Sequence, residues 1–165
     1  MPETRSQAES FLICRSAGHL CALPLERIRE IMRPLPLERT VGHRPGGPHT
    51  VHFVLGAAVV RGVVVPVVSL SGLLGVENAA PAGRYVSLRL GERHAALAVE
   101  SVEGIRELQA PGAIAPLLGA VEHEAVKAVT AHDAELLFVL EAAKLVPEAA
   151  WEEMANAASN AETAQ

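Results

Sequence analysis

Residues 55–75, LGAAVVRGVVVPVVSLSGLLG, constrain the fold of this chain more than any other segment. They place one arginine, Arg61, beside a glycine inside an otherwise valine-rich apolar run. Branched side chains favour β-strands, and Gly62 suits the left-handed backbone of a tight turn. The segment therefore predicts a β-hairpin whose turn lies at Arg61 and Gly62.

The same run has the length of a membrane span, because residues 53–74 contain a single formal charge and about 20 apolar residues cross a bilayer. An arginine at the centre of such a span costs about 2.5–3.5 kcal/mol. Gly56, Gly62, Pro66 and Gly72 would also interrupt the helix. We therefore expect no insertion into a membrane.

Composition restricts the class of partner. The 165 residues suit a single domain, and 50% of them are hydrophobic, which is enough to form a core. Five aromatic residues and a net charge of −5 provide neither the stacking platforms nor the basic surface that nucleic acids require. The first ten residues lack the apolar stretch of a signal peptide, so we expect a cytoplasmic protein.

The first strands carry apolar residues on both faces. Residues 10–15 and 19–24 predict a hairpin around Ala17 and Gly18, with Cys14 opposite Cys21. Leu12, Cys14, Cys21 and Leu23 would share one face, and Phe11, Ile13, Leu20 and Ala22 the other. Two apolar faces indicate strands that are covered on both sides, or the curled sheet of a small barrel whose outside packs against a second lobe. A disulfide is geometrically conceivable, but in a reducing compartment two buried thiols are the better interpretation.

The rest of the chain predicts further short strands. After a turn at residues 25–27 a strand begins at Ile28, and a short helical element is expected near residues 71–74. The segment 76–83 divides the chain into lobes at about 10–75 and 84–140, with exchange of strands possible. The other expected elements are extended runs at 84–90, 94–108, 125–130 and 135–140, loops at 37–50 and 109–124, a helix at 147–158, and flexible ends at 1–9 and 159–165.

The sequence offers little for catalysis. His43, His49 and His52 lie in a proline-rich loop without metal-site spacing, and no phosphate-binding glycine loop occurs. Cys14 and Cys21 lie inside predicted strands, which disfavours a nucleophile. We therefore expect no enzyme, no metal and no cofactor. Small barrels of this kind often bind a partner's helix or strand through an exposed groove or edge.

Four segments, in order, resemble the CheW family of bacterial chemotaxis coupling proteins. GAAVVRGVVVPVVSLSGLLG is similar to the family's Arg-Gly hairpin followed by a short helix, and ALPLERIREIM to an earlier strand and turn. LAVESVEGIREL and AELLFVLEAAKLV are similar to a later strand and to the closing strand and helix. The resemblance covers about residues 11–146.

The resemblance implies a mainly β fold: two small five-stranded SH3-like or OB-like β-barrel subdomains that share a hydrophobic core, with a C-terminal α-helix. It also implies a scaffold without a catalytic centre. Its partners would be the hairpin tip of a methyl-accepting chemoreceptor, the regulatory domain of a CheA-type histidine kinase, and other CheW-like proteins.

The resemblance also implies site residues. Glu30 and Arg61 match the family's acidic and basic positions and are expected to form an ion pair, either structural or in contact with the receptor. Ile28, Ile31, Val63 and Val65 are expected to flank the receptor groove, with core packing as the alternative for each. If the ion pair were deeply buried, removing one of its two residues would strongly destabilise the protein.

Departures from the family pattern predict weakened contacts to the kinase. Val59 and Val60 replace an Asn-Leu pair, Ser69 replaces an acidic residue, and Glu100 and Glu141 stand at two further acidic positions. A function of another class remains open at this stage, a small β-barrel that binds a low-molecular-weight ligand between its lobes.

Overall fold

The computed structural model describes residues 8–38, 53–76, 80–109 and 125–163. These residues form ten strands and two α-helices, joined by short 3-10 turns at Leu25–Arg27 and Ala142–Lys144. The strands are β1 (Glu9–Ser16), β2 (His19–Pro24), β3 (Ile28–Met32), β4 (Val54–Val60), β5 (Val63–Ser69), β6 (Arg84–Leu90), β7 (Arg93–Val99), β8 (Ser101–Leu108), β9 (Val126–His132) and β10 (Glu135–Leu140). The helices are α1 (Leu70–Leu73) and α2 (Glu148–Thr163).

The strands form two five-stranded sheets. The first sheet has the order β8-β1-β2-β10-β9 and the second the order β3-β6-β7-β5-β4. This arrangement confirms the predicted mainly β fold with two five-stranded units and few helices. The units are two sheets, however, and not barrels closed by a continuous ladder of backbone hydrogen bonds. Each sheet takes strands from both sides of the interruption at residues 76–83.

The two sheets repeat the same topology. The strands β8, β1, β2, β10 and β9 of the first sheet correspond in order to β3, β6, β7, β5 and β4 of the second, each five positions away in the chain order. Both sheets contain one parallel pair, β2 with β10 and β7 with β5. A backbone hydrogen bond of 2.6 Å precedes both helical turns, from Ser69 N to Phe53 O and from Glu141 N to Ala125 O. Counting from the hairpin turns, and for β3 and β8 along their register with β6 and β1, therefore gives residues of one sheet counterparts in the other.

A shared core lies between the sheets. Leu12, Cys14, Cys21 and Leu23 of the first sheet join one buried cluster with residues of the second sheet such as Leu97. Phe11, Ile13, Leu20 and Ala22 belong to a separate cluster on the opposite face of the first sheet. The expectation of strands covered on both faces is confirmed, since alternate side chains of β1 and β2 enter different cores.

The second sheet curls until its outer strands approach each other. Glu38, six residues after β3, exchanges two backbone hydrogen bonds with Ala57 of β4, at 2.8 and 2.9 Å. β3 and β4 are the two edges of this sheet. The curl encloses a third cluster, which contains Val60, Val65 and Tyr85.

Some predicted boundaries differ from the structure. The extended run expected at 94–108 is two strands, because the chain leaves the second sheet at Val99 and enters the first at Ser101. α2 continues to Thr163, past residue 158 where its pattern places the end. Most of the loops expected at 37–50 and 109–124, and part of the interruption at 76–83, lie outside the described residues.

Candidate functional site

The β4–β5 hairpin ends in a two-residue turn at Arg61 and Gly62. Both residues have positive φ, 49° and 80°, and Val60 faces Val63 across the turn. This backbone matches the twist of the flanking strands, and glycine adopts it without steric cost. The turn thus holds Arg61 at the outermost point of the hairpin, where its side chain is 76% exposed.

Arg61 forms a two-pronged ion pair with Glu30 of β3. Its Nε donates to Oε1 at 2.9 Å, and its Nη2 donates to Oε2 at 2.7 Å. These hydrogen bonds lower the pKa of the Glu30 carboxyl from its ordinary value and raise that of Arg61. The structure therefore brings together the two charged residues that the sequence singled out.

The ion pair joins elements that are not neighbours in the sheet. Glu30 faces Ser87 of β6 in register, and β3 and β4 are opposite edges. The pair thus closes the gap between β3 and the hairpin tip, above the cluster that contains Val60. Because Arg61 is mostly exposed, the deep burial that would make the pair costly to break is not present.

Aliphatic side chains are exposed around this pair. In the part of the chain that the structure describes, six large hydrophobic residues are strongly exposed, and four of them lie on β3, β4 and β5: Ile31 at 44%, Val59 at 61%, Val63 at 49% and Val64 at 59%. Val59 and Val64 are register partners and therefore share one face of the hairpin. Exposed aliphatic groups beside a fixed charge pair are typical of a protein-docking surface.

Two of the residues expected at the groove have other surroundings. Val65 is 2% exposed and packs in the third cluster, because it lies on the same face of β5 as Val63 but further from the hairpin tip. It is therefore not available to a partner. Ile28 is half-buried and packs against the shared core. Ile31 and Val63 are the two aliphatic candidates that remain open to solvent.

The first sheet repeats the exposed aliphatic residues but not the charge pair. Ile105 and Leu136, the counterparts of Ile31 and Val64, are 54% and 59% exposed. The counterparts of Glu30 and Arg61 are Gly104 and Asp133, which cannot form an ion pair. Asp133 has a positive φ of 54°, as Arg61 does.

Sequence reasoning missed an ion cluster on the first sheet. Arg15 of β1 donates through Nε to Glu103 of β8 at 2.8 Å and through both terminal nitrogens to Glu135 of β10 at 3.0 Å. The bonds raise the pKa of Arg15 above its ordinary value. The signal in the sequence was the arginine itself, which follows an apolar run of residues just before a turn, much as Arg61 does.

A second missed contact anchors α2. Arg93 donates through two nitrogens to Glu148, each at 3.1 Å, and its guanidinium lies 5.0 Å from the centre of the Trp151 ring. Such a cation–π contact adds to the ion pair. The first turn of α2 is thereby fixed to the start of β7, beside the buried Ala150.

The two cysteines face each other, and burial makes their thiols weak nucleophiles. Cys14 and Cys21 are register partners, are buried, and are free thiols. Burial raises the pKa of each to about 12, so the nucleophilic thiolate is scarce at neutral pH. No group of three or more potential metal ligands occurs within the described ranges, and the histidines at 43, 49 and 52 lie outside them.

Among the helices of the described residues, none is both long enough and apolar enough to cross a membrane. The run at 53–74 forms instead a hairpin and the short helix α1. Ser69, at a position where the resemblance expects an acidic residue, caps that helix, because its hydroxyl accepts a hydrogen bond from Gly72 N at 3.1 Å.

Comparison with known proteins gives a family and a fold. A family model of the CheW-like domain matches residues 10–150. Among solved structures, the chain is similar to the crystal structure of the scaffolding protein TtCheW from Thermoanaerobacter tengcongensis, with a TM-score of 0.66 and 16% sequence identity. That similarity covers 82% of this chain and 90% of the other. No curated protein sequence matched.

Proposed function

The chain belongs to the family of CheW-like domains, and from this premise we propose that it is a non-enzymatic adaptor of a bacterial chemosensory array. In this role it couples the hairpin tip of a methyl-accepting chemoreceptor to a CheA-type histidine kinase. The observation that carries the proposal is the Glu30–Arg61 pair, whose arginine is exposed, together with the exposed Ile31 and Val63, which lie within two residues of the pair in the sequence. This surface has the chemistry of a protein contact, with fixed charges at an aliphatic patch.

An adaptor needs a second surface, and the first sheet provides a candidate. Ile105 and Leu136 expose aliphatic side chains at the positions that correspond to Ile31 and Val64. We assign the receptor to the second sheet, which alone has the charge pair, and the kinase regulatory domain or another CheW-like domain to the first. This assignment does not account for the weakened kinase contacts that the departures from the family pattern predict, because Val59 and Ser69 lie on the second sheet.

No observation favours the alternative of a small-molecule ligand between the lobes. The space between the sheets is filled by the shared core, which contains Leu97 and Leu140, both fully buried. Within the described residues, every buried side-chain nitrogen or oxygen has a hydrogen-bond partner. A ligand site normally presents polar groups that converge on a cavity.

The proposal is tested by binding assays with recombinant receptor hairpins and kinase regulatory domains encoded in the same genome. The wild-type chain should form a complex with a receptor hairpin on size-exclusion chromatography, and Arg61→Ala and Glu30→Ala should weaken it. Asp133→Ala, in the corresponding turn of the first sheet, is the control and should not. Absence of any complex between the wild-type chain and these partners would contradict the proposal.

Exchanging the two charges distinguishes a structural role of the ion pair from a direct contact with the receptor. In the double variant Glu30→Arg with Arg61→Glu the ion pair can form again with its polarity reversed. If the pair only braces the hairpin against β3, the exchange restores receptor binding that either single charge reversal removes. If Arg61 or Glu30 contacts the receptor directly, binding stays weak although circular dichroism shows a folded protein.

A further inference from the structure

The exposed residues of β3, together with Arg33 directly after it, alternate between arginine and isoleucine. Arg29, Ile31 and Arg33 are exposed, whereas Glu30 and Met32 between them are partly buried. Residues two apart on an extended chain point to the same side, which relates Ile31 to Arg33, and Arg29 lies at a β-bulge between Ile28 and Glu30. An arginine therefore lies on either side of the exposed Ile31 along this edge of the second sheet.

A third arginine adds to this charge. Arg84 begins β6 and precedes Tyr85, the register partner of Met32, so that Arg33 and Arg84 lie at adjoining ends of neighbouring strands. The Nη1 of Arg84 donates to the carbonyl oxygen of Gly83 at 2.7 Å, which leaves its charge without a counter-ion. Like charges on neighbouring strands repel each other, and an anion between them removes this repulsion.

Among the described residues, Arg61 and to a smaller extent Arg29 lower the pKa of the Glu30 carboxyl. Within them, Arg29, Arg33 and Arg84 form no salt bridge, whereas Arg15, Arg61 and Arg93 are each paired with glutamate. Glu30, the acid within β3, is already bound to Arg61.

The charge of the second sheet also differs in sign from that of the chain. Its described segments, residues 25–38, 53–76 and 80–99, contain seven arginines against four glutamates, a net charge of +3. The whole chain carries −5. An approaching partner therefore meets a locally positive face on a negative protein, which selects for negative partners.

We infer that the partner segment that docks along β3 is acidic, with carboxylates opposite Arg29, Arg33 and Arg84 and an aliphatic residue that covers Ile31. The inference rests on the proposed function, because it specifies the chemistry of the receptor hairpin that this surface accepts. Arg29, which lies at the β-bulge, and Arg33 are four residues apart, which is at most about 13 Å along an extended chain. A helix spans that distance in about nine residues, so acids about two turns apart, with an aliphatic residue midway, complement the row.

The test measures the affinity of the full chain for recombinant receptor signalling hairpins from the same genome, by fluorescence anisotropy. Arg29→Gln and Arg33→Gln should each weaken binding about threefold, and the double variant Arg29→Glu with Arg33→Glu more than about tenfold. Raising the salt concentration from about 0.05 to 0.5 M should reduce these differences. Replacing the Asp and Glu residues of the hairpin tip by amides should weaken wild-type binding and abolish the effect of the arginine variants.

The matched control is Arg106→Glu with Lys127→Glu, which changes the net charge equally but on exposed residues of the first sheet. If the wild-type chain binds and the β3 variants behave like this control, or bind more tightly, the inference is wrong and the proposed function stands. If the wild-type chain binds no receptor hairpin, the proposed function fails, and the inference with it. Melting curves of each variant show that a loss of binding is not a loss of fold.

Discussion

Replacement of Ile31 by serine gives the sharpest test of the docking surface. Ile31 is 44% exposed on β3, next to Glu30. Its counterpart Ile105 is 54% exposed on β8 of the first sheet. The two isoleucines thus have the same side chain, similar exposure and equivalent places in the topology, and they differ in the sheet to which they belong.

The expected loss of binding free energy follows from the exposed fraction of Ile31. Full burial of an isoleucine side chain contributes about 2–3 kcal/mol. The 44% of Ile31 that is still exposed can therefore contribute about 1 kcal/mol when a partner covers it. This corresponds to a dissociation constant about fivefold higher for Ile31→Ser.

The loss of stability should be similar for both variants. Each isoleucine is about half buried, so that serine removes about 1 kcal/mol of burial within the protein itself at either position. Urea denaturation measures this loss, and titration calorimetry with the receptor hairpin measures the binding.

The comparison of the two variants separates binding from folding. We expect Ile31→Ser to weaken receptor binding about fivefold and Ile105→Ser to leave it unchanged. Ile105→Ser should instead weaken any complex with the kinase regulatory domain. Equal effects of both variants on receptor binding, or no effect of Ile31→Ser, would refute the assignment of the receptor to the second sheet.

Three further predictions concern stability and chemistry. Leu97→Ala, at a fully buried position of the shared core, should lower the free energy of unfolding by about 3 kcal/mol in urea titrations. Burial raises the pKa of Cys14 and Cys21 from 9.0 to about 12, so the thiols ionise at lower pH in the unfolded state than in the folded state. The melting temperature should therefore fall as the pH rises from about 9 towards 12. The fall should be smaller in a variant with valine at both positions. Arg93→Ala should shift the fluorescence of Trp151, the single tryptophan, to longer wavelength, because the cover of its ring is lost; an unchanged spectrum would contradict this.

Local features of the fold could be predicted from the sequence because neighbouring residues determine them. The turns at residues 17–18 and 61–62 depend on a glycine that follows directly on the first turn residue, and the two-faced pattern of β1 and β2 depends on alternation within each strand. These predictions are confirmed by the register and by the two clusters that the strands enter.

Pairings between distant segments could not be predicted in the same way. Arg15 meets Glu103 and Glu135 only because β1 lies beside β8 and two strands from β10. Nothing in the alternation of β8 or β10 encodes that order, since it results from packing the two sheets around one core. The break at Glu100 was missed for the same reason. The chain changes sheets there, and the Glu100 carboxylate accepts a hydrogen bond from Ala17 N of another hairpin.

The repeat of topology also bears on why Glu30 and Arg61 are present. The first sheet has the corresponding strand order and a two-residue turn whose first residue also has a positive φ, yet it has Gly104 and Asp133 at the two equivalent positions. The first sheet therefore forms without an ion pair at these two positions, although Arg15 joins Glu103 of β8 to Glu135 of β10 there. Because exposed pairs contribute little to stability, folding alone gives no reason for two matched charges at the hairpin tip. Their presence on one sheet, next to open aliphatic side chains, is best explained by a partner that binds there.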